Sequence, residues 1–370
     1  MRPKILAFYL PQYYPFPEND EWWGKGFTEW TSVGRAKPLF KGHYQPKVPA
    51  DLGYYDLRLP IVREQQAALA KEYGVDGFCY WHYWFGNGKR LLDLVETEVV
   101  STGKPEFPFC YCWANHSWYA KNWNKKDSKI GQRNLIEQEY PGKEDYINHF
   151  ISCLKAFKDS RYIKIDGKPV FGIFDASTFS EAQEFMTLWN GLAKENGFNG
   201  MYFISYCMSV VHYHKVKHLP FDEFVVDAMT MCEKKRSKIS IFLRRIMVYL
   251  NFDKLLSLRM FDYNAYAKAA LKYYKENPCV SICALPNYDH SPRSGMMAFV
   301  LKNESPRHFK AFLEGIKEVL LSRGTNNRFL FIKSWNEWGE GNYLEPDLKY
   351  GRGFLEAIRD VFGIGTDKRR

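Results

Sequence analysis

The chain has 370 residues, a net charge of +10 and 46% hydrophobic residues, enough to bury one large core. Its first apolar run, Ile5–Leu10, is too short for a signal peptide, and no later run reaches the ~20 residues that cross a bilayer. The sequence therefore argues against a membrane-spanning protein and predicts one cytoplasmic domain over residues 1–370.

Short apolar runs alternate with helical patterns along the chain. This alternation favours an α/β fold, a (β/α)8 barrel with elaborated loops at its C-terminal face, where the functional site would lie. A doubly wound open sheet is the alternative, although no Gly-rich phosphate-binding loop follows any strand. Strands are predicted at Lys4–Leu10, Val75–Trp81, Phe107–Trp113, Val170–Asp175, Met201–Tyr206, Phe221–Val226, Val280–Leu285 and Arg328–Ser334, and helices at Pro60–Tyr73, Arg90–Thr102, Lys143–Lys158, Ser180–Asn196, Tyr263–Glu276, Ser305–Arg323 and Gly353–Val361.

Two local features decorate this pattern. The dipeptide Asp166-Gly167 predicts a hairpin turn beside the fourth strand. Residues 233–262 are predicted to be an insertion after the sixth strand, and a basic cluster followed by Ile239–Leu250 gives it an amphipathic pattern. This segment would either lie on an anionic membrane surface or pack its apolar side on the barrel.

Polar and aromatic side chains follow most of the predicted strands, so a barrel would collect them on one rim. We interpret them as substrate-binding residues; the alternatives are core packing for the aromatic ones and strand capping for the polar ones. They are Tyr9 and Tyr13 after the first strand, Trp81, His82, Tyr83 and Trp84 after the second, Trp113, Asn115 and His116 after the third, and Tyr206 after the fifth.

The most informative stretch is Trp335-Asn-Glu-Trp-Gly-Glu-Gly341, which follows the eighth predicted strand. Cleaving or moving a glycosidic bond needs one carboxylic acid for the leaving oxygen and a second carboxylate on the opposite side. The motif therefore predicts Glu337 and Glu340 as catalytic residues; a solvated loop with ordinary surface acids is the alternative. Its aromatic and amide side chains, suited to sugar rings and hydroxyls, are the predicted substrate-binding residues Trp335, Asn336 and Trp338.

Four other residues are candidates with open alternatives. Trp30 and His43 lie in a long loop after the first strand, which is either functional or a plug for the barrel. Arg293 follows the seventh strand and would either bind an anionic group with its planar fork or pair with Asp289. Glu345 would orient a neighbouring loop or contact sugar.

The composition limits the kinds of partner and cofactor that the protein is expected to bind. An excess of basic residues would suit an acidic or lipid-linked glycan or a membrane surface, and no nucleic-acid-binding motif is present. The eight cysteines form no CxxC pair and are predicted to be buried free thiols in a reducing compartment. His212, His214 and His218 lack a completing ligand at suitable spacing, so we expect no metal and no cofactor.

The sequence resembles the WbsX-like proteins of bacterial surface-polysaccharide gene clusters, which are labelled glycosyltransferases. It is also similar to the family-ninety-nine glycoside hydrolases, the endo-α-mannosidases. The resemblance covers nearly the whole chain. It rests on Ala7–Tyr13, Glu18–Trp30, Gly42–Pro46, Asp51–Asp56, Gly74–Phe78, Cys112–Asn115 and Ser334–Gly341.

The resemblance implies a (β/α)8 barrel and a role for each acid. Glu337 would act as a base on the 2-hydroxyl of the substrate, giving a 1,2-anhydro sugar and net retention, and Glu340 would be the general acid. Two departures concern substrate identity. Where relatives read Trp-Ala-Asn-Glu-Asn-Trp this chain has His116 in place of the acid, and Asp289-His-Ser-Pro-Arg293 replaces Asp-Asn-Thr-Pro-Arg.

Three functions follow as hypotheses. The first is a retaining glycoside hydrolase or transglycosylase acting on an oligosaccharide or polysaccharide through the paired acids. The second is a glycosyltransferase of O-antigen or capsule synthesis that uses an activated sugar donor, favoured by the family label and the basic surface. The third is a glycan-binding protein without catalysis, against which the intact acid pair argues.

Overall fold

Eight parallel strands form a closed barrel at the centre of the protein. The computed structural model describes residues 2–120, 133–232, 242–243, 246–247, 258–324 and 328–364. All eight predicted strands are present. They are β1 (Lys4–Tyr9), β2 (Gly77–His82), β3 (Phe109–Trp113), β4 (Lys168–Ile173), β5 (Tyr202–Cys207), β6 (Glu223–Asp227), β7 (Ser281–Ala284) and β8 (Phe329–Ile332).

The strands pair in chain order, and the last pairs with the first. Tyr111 in β3 aligns with Phe171 in β4, so the third and fourth strands are neighbours. Ala7 in β1 aligns with Ile332 in β8, and this pairing closes the barrel. Every pair is parallel, so all eight C-terminal ends meet on one rim, as the (β/α)8 prediction requires.

A helix follows each strand. Seven of the eight were predicted, and the seven-residue α5 was not, because its length gives too little periodicity. The second helix begins four residues later than predicted, since Leu92 has a φ of 57° and interrupts the helical run. They are α1 (Pro60–Glu72), α2 (Leu94–Thr102), α3 (Lys143–Lys158), α4 (Ala182–Glu195), α5 (Val210–Val216), α6 (Tyr263–Glu276), α7 (Pro306–Ser322) and α8 (Gly353–Phe362).

The long loop after β1 contains regular structure. Helices Pro17–Trp23 and Glu29–Arg35 form there, the first with Pro at its first position and the second with a Thr28–Thr31 capping box. The predicted hairpin is confirmed, since Lys164–Ile165 pairs with β4 across the Asp166-Gly167 turn. Other short elements are the paired strands Trp118–Ala120 and Arg133–Ile136, Arg259–Asp262 and Phe299–Lys302, and Asn336–Glu337 and Asn342–Tyr343, with the helix Ser291–Ser294 and the 3-10 turns Met229–Cys232, Gly295–Met297 and Trp338–Glu340.

The predicted insertion at 233–262 and its amphipathic stretch lie mostly outside the described residues. In the part of the chain that is described, no helix combines the length and the apolar character needed to cross a membrane. Cys79, Cys110, Cys112, Cys153, Cys207 and Cys283 are buried and free, whereas Cys279 is exposed, which corrects the prediction that all the thiols are buried.

Gly77 lies where the barrel wall leaves no room for a side chain. A Cβ atom there would come within 2.9 Å of the Pro108 carbonyl oxygen and within 3.1 Å of the Leu6 side chain. We expect Gly77→Ala to lower the free energy of unfolding by about 1–3 kcal/mol, measured by urea denaturation. Gly191→Ala in α4, where nothing lies within 4 Å, should instead raise it by roughly 0.5–1 kcal/mol, so equal effects would contradict this account.

Candidate active site

Glu337 stands directly beyond β8, inside the barrel mouth. The side chain is nearly buried, at 5% exposure. Its Oε1 atom accepts hydrogen bonds from Trp81 Nε1 at 2.7 Å and from Ser334 Oγ at 2.9 Å. Trp81 lies near the end of β2 and Ser334 follows β8, on either side of β1, and together they fix one carboxyl oxygen and leave the other for chemistry.

Glu340 is brought beside Glu337 by the 3-10 turn Trp338–Glu340. Arg293 Nη1 donates to its Oε1 atom at 2.8 Å, and Lys333 Nζ lies 3.7 Å from its Oε2 atom. His290 Nε2 lies 3.9 Å from Oε1. Two permanent cations and one imidazole therefore surround this carboxylate.

The two carboxyl groups interact electrostatically and have opposite pKa shifts. Burial, and then the charge of Glu340, raise the pKa of Glu337. Burial alone would also raise the pKa of Glu340, but Lys333 and Arg293 outweigh it and lower that pKa. Of the two carboxyl groups, Glu337 therefore holds a proton more readily, which is the reverse of the acid and base roles implied by the resemblance.

Arg293 is held from behind by Glu29. Its guanidinium forms a two-pronged ion pair with that carboxylate, Nε to Oε1 at 3.0 Å and Nη2 to Oε2 at 2.8 Å. The Glu29 side chain is only 4% exposed. Of the two alternatives for Arg293, pairing with Asp289 is wrong, because Asp289 instead contacts His43 Nε2 and accepts from Gln45 Nε2, each at 2.7 Å.

Gly339 explains why the motif reads Trp-Gly-Glu. A Cβ atom at this position would lie 1.5 Å from Glu29 Oε1. The glycine therefore leaves the space that the Glu29 carboxylate fills behind Arg293. A residue near the N-terminus thus completes the electrostatics of a motif near the C-terminus.

Glu345 lies beneath the motif. It is 1% exposed and accepts hydrogen bonds from Tyr55 Oη at 2.9 Å, Trp338 Nε1 at 2.6 Å and Gln66 Nε2 at 2.7 Å. Burial raises the pKa of this carboxyl to about 7. Of its two predicted roles, these contacts fit orientation of the loop.

Several predicted substrate-binding residues support the motif from below. Tyr13 Oη contacts the Asn336 carbonyl oxygen and accepts from the Trp338 backbone N–H. Trp30 packs on Tyr13 and Trp338, with ring centroids 4.7 Å and 5.6 Å away. Tyr9, Trp335, Asn336 and Trp338 are all at most 1% exposed.

The aromatic run after β2 divides between two environments. Trp81 and Tyr83 belong to the site, since Trp81 binds Glu337 and the charge of Glu337 acts on Tyr83. His82 and Trp84 face the helix layer, where both rings contact His149 of α3. The cluster therefore divides between the barrel mouth and the core, with alternate residues on opposite sides, as the two-residue period of a strand predicts.

Phe174 and Tyr206 stack beside Trp81, with ring centroids 5.4 Å apart, and His116 lies 5.0 Å from Phe174. His116 is accessible in the mouth, where desolvation by surrounding protein still lowers its pKa. Asn115 and Trp113 are buried: Asn115 bonds to the backbone of Asp175, as the capping alternative requires, and Trp113 Nε1 donates to the Trp84 carbonyl oxygen at 2.7 Å.

Within the described residues, His82, His149 and Cys153 form a group that offers metal ligands. Their geometry argues against a metal ion. The two imidazoles are 13° from coplanar, with centroids 5.1 Å apart and Nε2 atoms 2.9 Å apart, so the nitrogens point at each other. That arrangement suits one shared proton, with Glu96 bound to the other nitrogen of His82 at 2.8 Å.

Two charged groups of the site were not predicted. Lys333 directly follows β8 and lies between Glu340 and Asp227, with its Nζ atom 3.9 Å from Asp227 Oδ2. Asp227 ends β6, is 2% exposed and accepts from Tyr206 Oη at 3.1 Å. Their position at strand ends is the sequence signal that could have identified them.

The chain is similar to known proteins over nearly its whole length. Residues 5–358 match the family described as Glycosyltransferase WbsX. Two curated relatives from strains of Xanthomonas campestris pv. campestris, both named Uncharacterized protein WxcX, are 34% identical over 370 residues. The match covers 98% of this chain and 50% of each relative, so the chain spans half their length.

Solved structures with the same fold include two carbohydrate-related proteins. A glycoside hydrolase-like protein has a TM-score of 0.57 at 14% identity, over 98% of this chain and 95% of its own. The GH99 endo-alpha-mannosidase from Bacteroides thetaiotaomicron has a TM-score of 0.53 at 13% identity, over 98% of this chain and 96% of its own. These similarities support the barrel fold.

Proposed function

The chain belongs to the WbsX glycosyltransferase family, and we propose that it cleaves or transfers glycosidic bonds of bacterial surface polysaccharide through Glu337 and Glu340. The single observation that carries the proposal is this adjacent pair of carboxyl groups with opposite pKa shifts at the mouth of a (β/α)8 barrel. Pairs of titratable groups whose surroundings separate their pKa values are typical of acid and base catalysis.

The proposed mechanism follows the roles that the resemblance implies. The substrate 2-hydroxyl would donate to the Glu337 carboxylate, and a hydrogen bond to the charged form lowers that pKa. The glycosidic oxygen would accept from protonated Glu340. Substrate binding would therefore move the proton from Glu337 to Glu340. Glu337 then takes the hydroxyl proton while that oxygen attacks the anomeric carbon, and Glu340 gives its proton to the leaving oxygen.

The charges of the site support a glycoside as substrate. Among the described residues, Arg293 lies between Glu29 and Glu340, and Lys333 lies between Glu340 and Asp227. Both cations are thus balanced by carboxylates, which suits a developing positive charge on the sugar. A sugar nucleotide would need cations for its diphosphate.

The family description keeps a transferase as the second candidate, in which a sugar rather than water is the acceptor. An activated donor remains its distinguishing requirement. A glycan-binding protein would show tight oligosaccharide binding with no turnover.

We also propose, from the net charge of +10, that a lipid-linked or acidic part of the glycan, or a membrane surface, contacts the protein away from the acid pair.

A thermal-shift series tests the proposal. We expect iminosugar or epoxide mimics with α-manno or α-gluco configuration to raise the Tm of the protein, and the Glu340→Gln variant to lose most of that shift. A crystal structure of the complex should place the sugar ring against Glu337. A shift with nucleotide sugars and with none of the mimics would overturn the proposal in favour of the activated-donor transferase.

A further inference from the structure

His290 lies between the Ser294 hydroxyl group and the Glu340 carboxylate. The residue follows β7 and begins the short helix Ser291–Ser294, and its side chain is 14% exposed. Its Nδ1 atom lies 2.6 Å from Ser294 Oγ, and its Nε2 atom lies 3.9 Å from Glu340 Oε1. Its backbone N–H also donates to the Phe299 carbonyl oxygen, so both ends of the residue are anchored.

Glu340 needs a proton source if it is the general acid. Arg293 and Lys333 stabilise its ionised form, and both remain protonated near neutral pH. The substrate-driven shift from Glu337 supplies one proton, which leaves with the glycosidic oxygen. Glu337 returns the hydroxyl proton to the sugar when the anhydro sugar opens, so the acid pair must be reloaded before the next cycle. Imidazole is the side chain that ordinarily exchanges protons near neutrality.

Two imidazoles lie near Glu340, and their surroundings differ. Desolvation lowers the pKa of His116, which disfavours its imidazolium form. The His290 Nε2 atom faces Glu340 itself, and the nearby charged groups of the described site are Arg293 and Lys333, beyond that carboxylate. The stacked Tyr288 ring, 6.3 Å away, covers one face of the imidazole.

We infer that His290 is a proton-relay residue that supplies Glu340 with the proton of each catalytic cycle, an inference that rests on the proposed function. In this step the Nε2–H bond of the imidazolium breaks and an O–H bond forms on Glu340. The imidazolium becomes neutral imidazole. When water opens the anhydro sugar, Glu337 returns its proton to the sugar 2-oxygen and the attacking water releases one proton, which returns to Nε2 through solvent, so the cycle consumes no net proton. In the imidazolium the Nδ1–H group donates to Ser294 Oγ, and this contact leaves Nε2 as the nitrogen that faces Glu340.

The contact is tested first without any substrate. The His290 pKa is measured by NMR titration of the imidazole in the full-length protein and in Glu340→Gln. Because the carboxylate stabilises the imidazolium, we expect the pKa to fall by about one unit in the variant. An unchanged pKa would overturn the inference even if the wild-type protein cleaves glycosides.

Activity supplies the second test. His290→Asn should lower kcat about 10–100-fold on a glycoside with a poor leaving group, with KM little changed, because only proton supply is lost. The kcat on an aryl glycoside with an acidic leaving group should stay within about twofold, since that group needs no proton. Added imidazole should restore much of the lost rate.

Equal losses on both substrates, or none on either, would overturn the relay. Ser294→Ala is the matched control and should give a smaller loss of the same kind, because it frees the imidazole without removing it. If the wild-type protein turns over no glycoside while the NMR coupling is present, the proposed function fails, and the proton contact between His290 and Glu340 stands.

Discussion

Glu337→Gln is expected to lower glycoside turnover by roughly 10²–10⁴-fold while the protein stays folded. Both hydrogen bonds to this side chain end on one oxygen, from Trp81 and Ser334. A glutamine can keep its amide oxygen on those donors and turn its NH2 group toward Glu340. The substitution therefore removes the base and preserves the contacts, and kcat on a natural-type oligosaccharide measures the loss.

Glu340→Gln separates the two roles. If Glu340 is the acid, its variant should recover with an aryl glycoside whose leaving group needs no protonation, whereas the Glu337 variant should stay inactive. The opposite pattern would assign the acid role to Glu337, in agreement with the resting proton position. Wild-type activity in both variants would eliminate the paired-acid mechanism.

The free energy of unfolding of Glu337→Gln, measured over a range of pH, shows whether the variant is folded and whether the Glu337 pKa is raised. The folded-state pKa of Glu337 is raised, so the native protein binds more protons than the unfolded chain between the two pKa values. This group's contribution to stability is present at low pH and is lost as the pH rises through the folded pKa. Glutamine does not titrate, so the variant should lose less stability than the wild-type protein between acidic and mildly alkaline pH.

The barrel and the acid motif could be predicted from sequence because both depend on local signals. Hydrophobic runs gave the eight strands, and a strand followed by Glu337 and Glu340 placed two acids on the rim. The opposite orientations of Trp81 and His82 were also available from strand alternation. The prediction treated the aromatic run as one cluster and did not apply that alternation.

The electrostatic setting of the acids could not be predicted from local patterns. Glu29 and Arg293 are 264 positions apart in the chain. Their meeting depends on how the loop after β1 folds across the mouth, with two short helices that lack strong periodicity. The relation of Gly339 to Glu29 likewise appears only when the space around the glycine is known.

Arg293→Met is expected to destabilise the protein by about 3 kcal/mol, because it leaves Glu29 buried without a partner. This value is at the low end of the free-energy cost of breaking a buried ion pair, because the arginine side chain is 28% exposed. The double variant Glu29→Gln/Arg293→Met buries no uncompensated charge at this position and should regain at least half of the loss. Urea denaturation of the two single variants and the double variant measures the coupling.

Gly339→Ala breaks the same contact without removing a charge, because its methyl group would occupy the position of Glu29 Oε1. It should therefore destabilise the protein, and the pH dependence of activity should change with it. If the methyl group displaces Glu29 and with it Arg293, Glu340 loses one of the two cations that lower its pKa. The pKa of Glu340 should then rise, so the limb of the pH–rate profile due to Glu340 moves to higher pH. Additive effects of Arg293→Met and Glu29→Gln, with an unmoved profile, would show that the ion pair neither stabilises the mouth nor sets the charge of the acid.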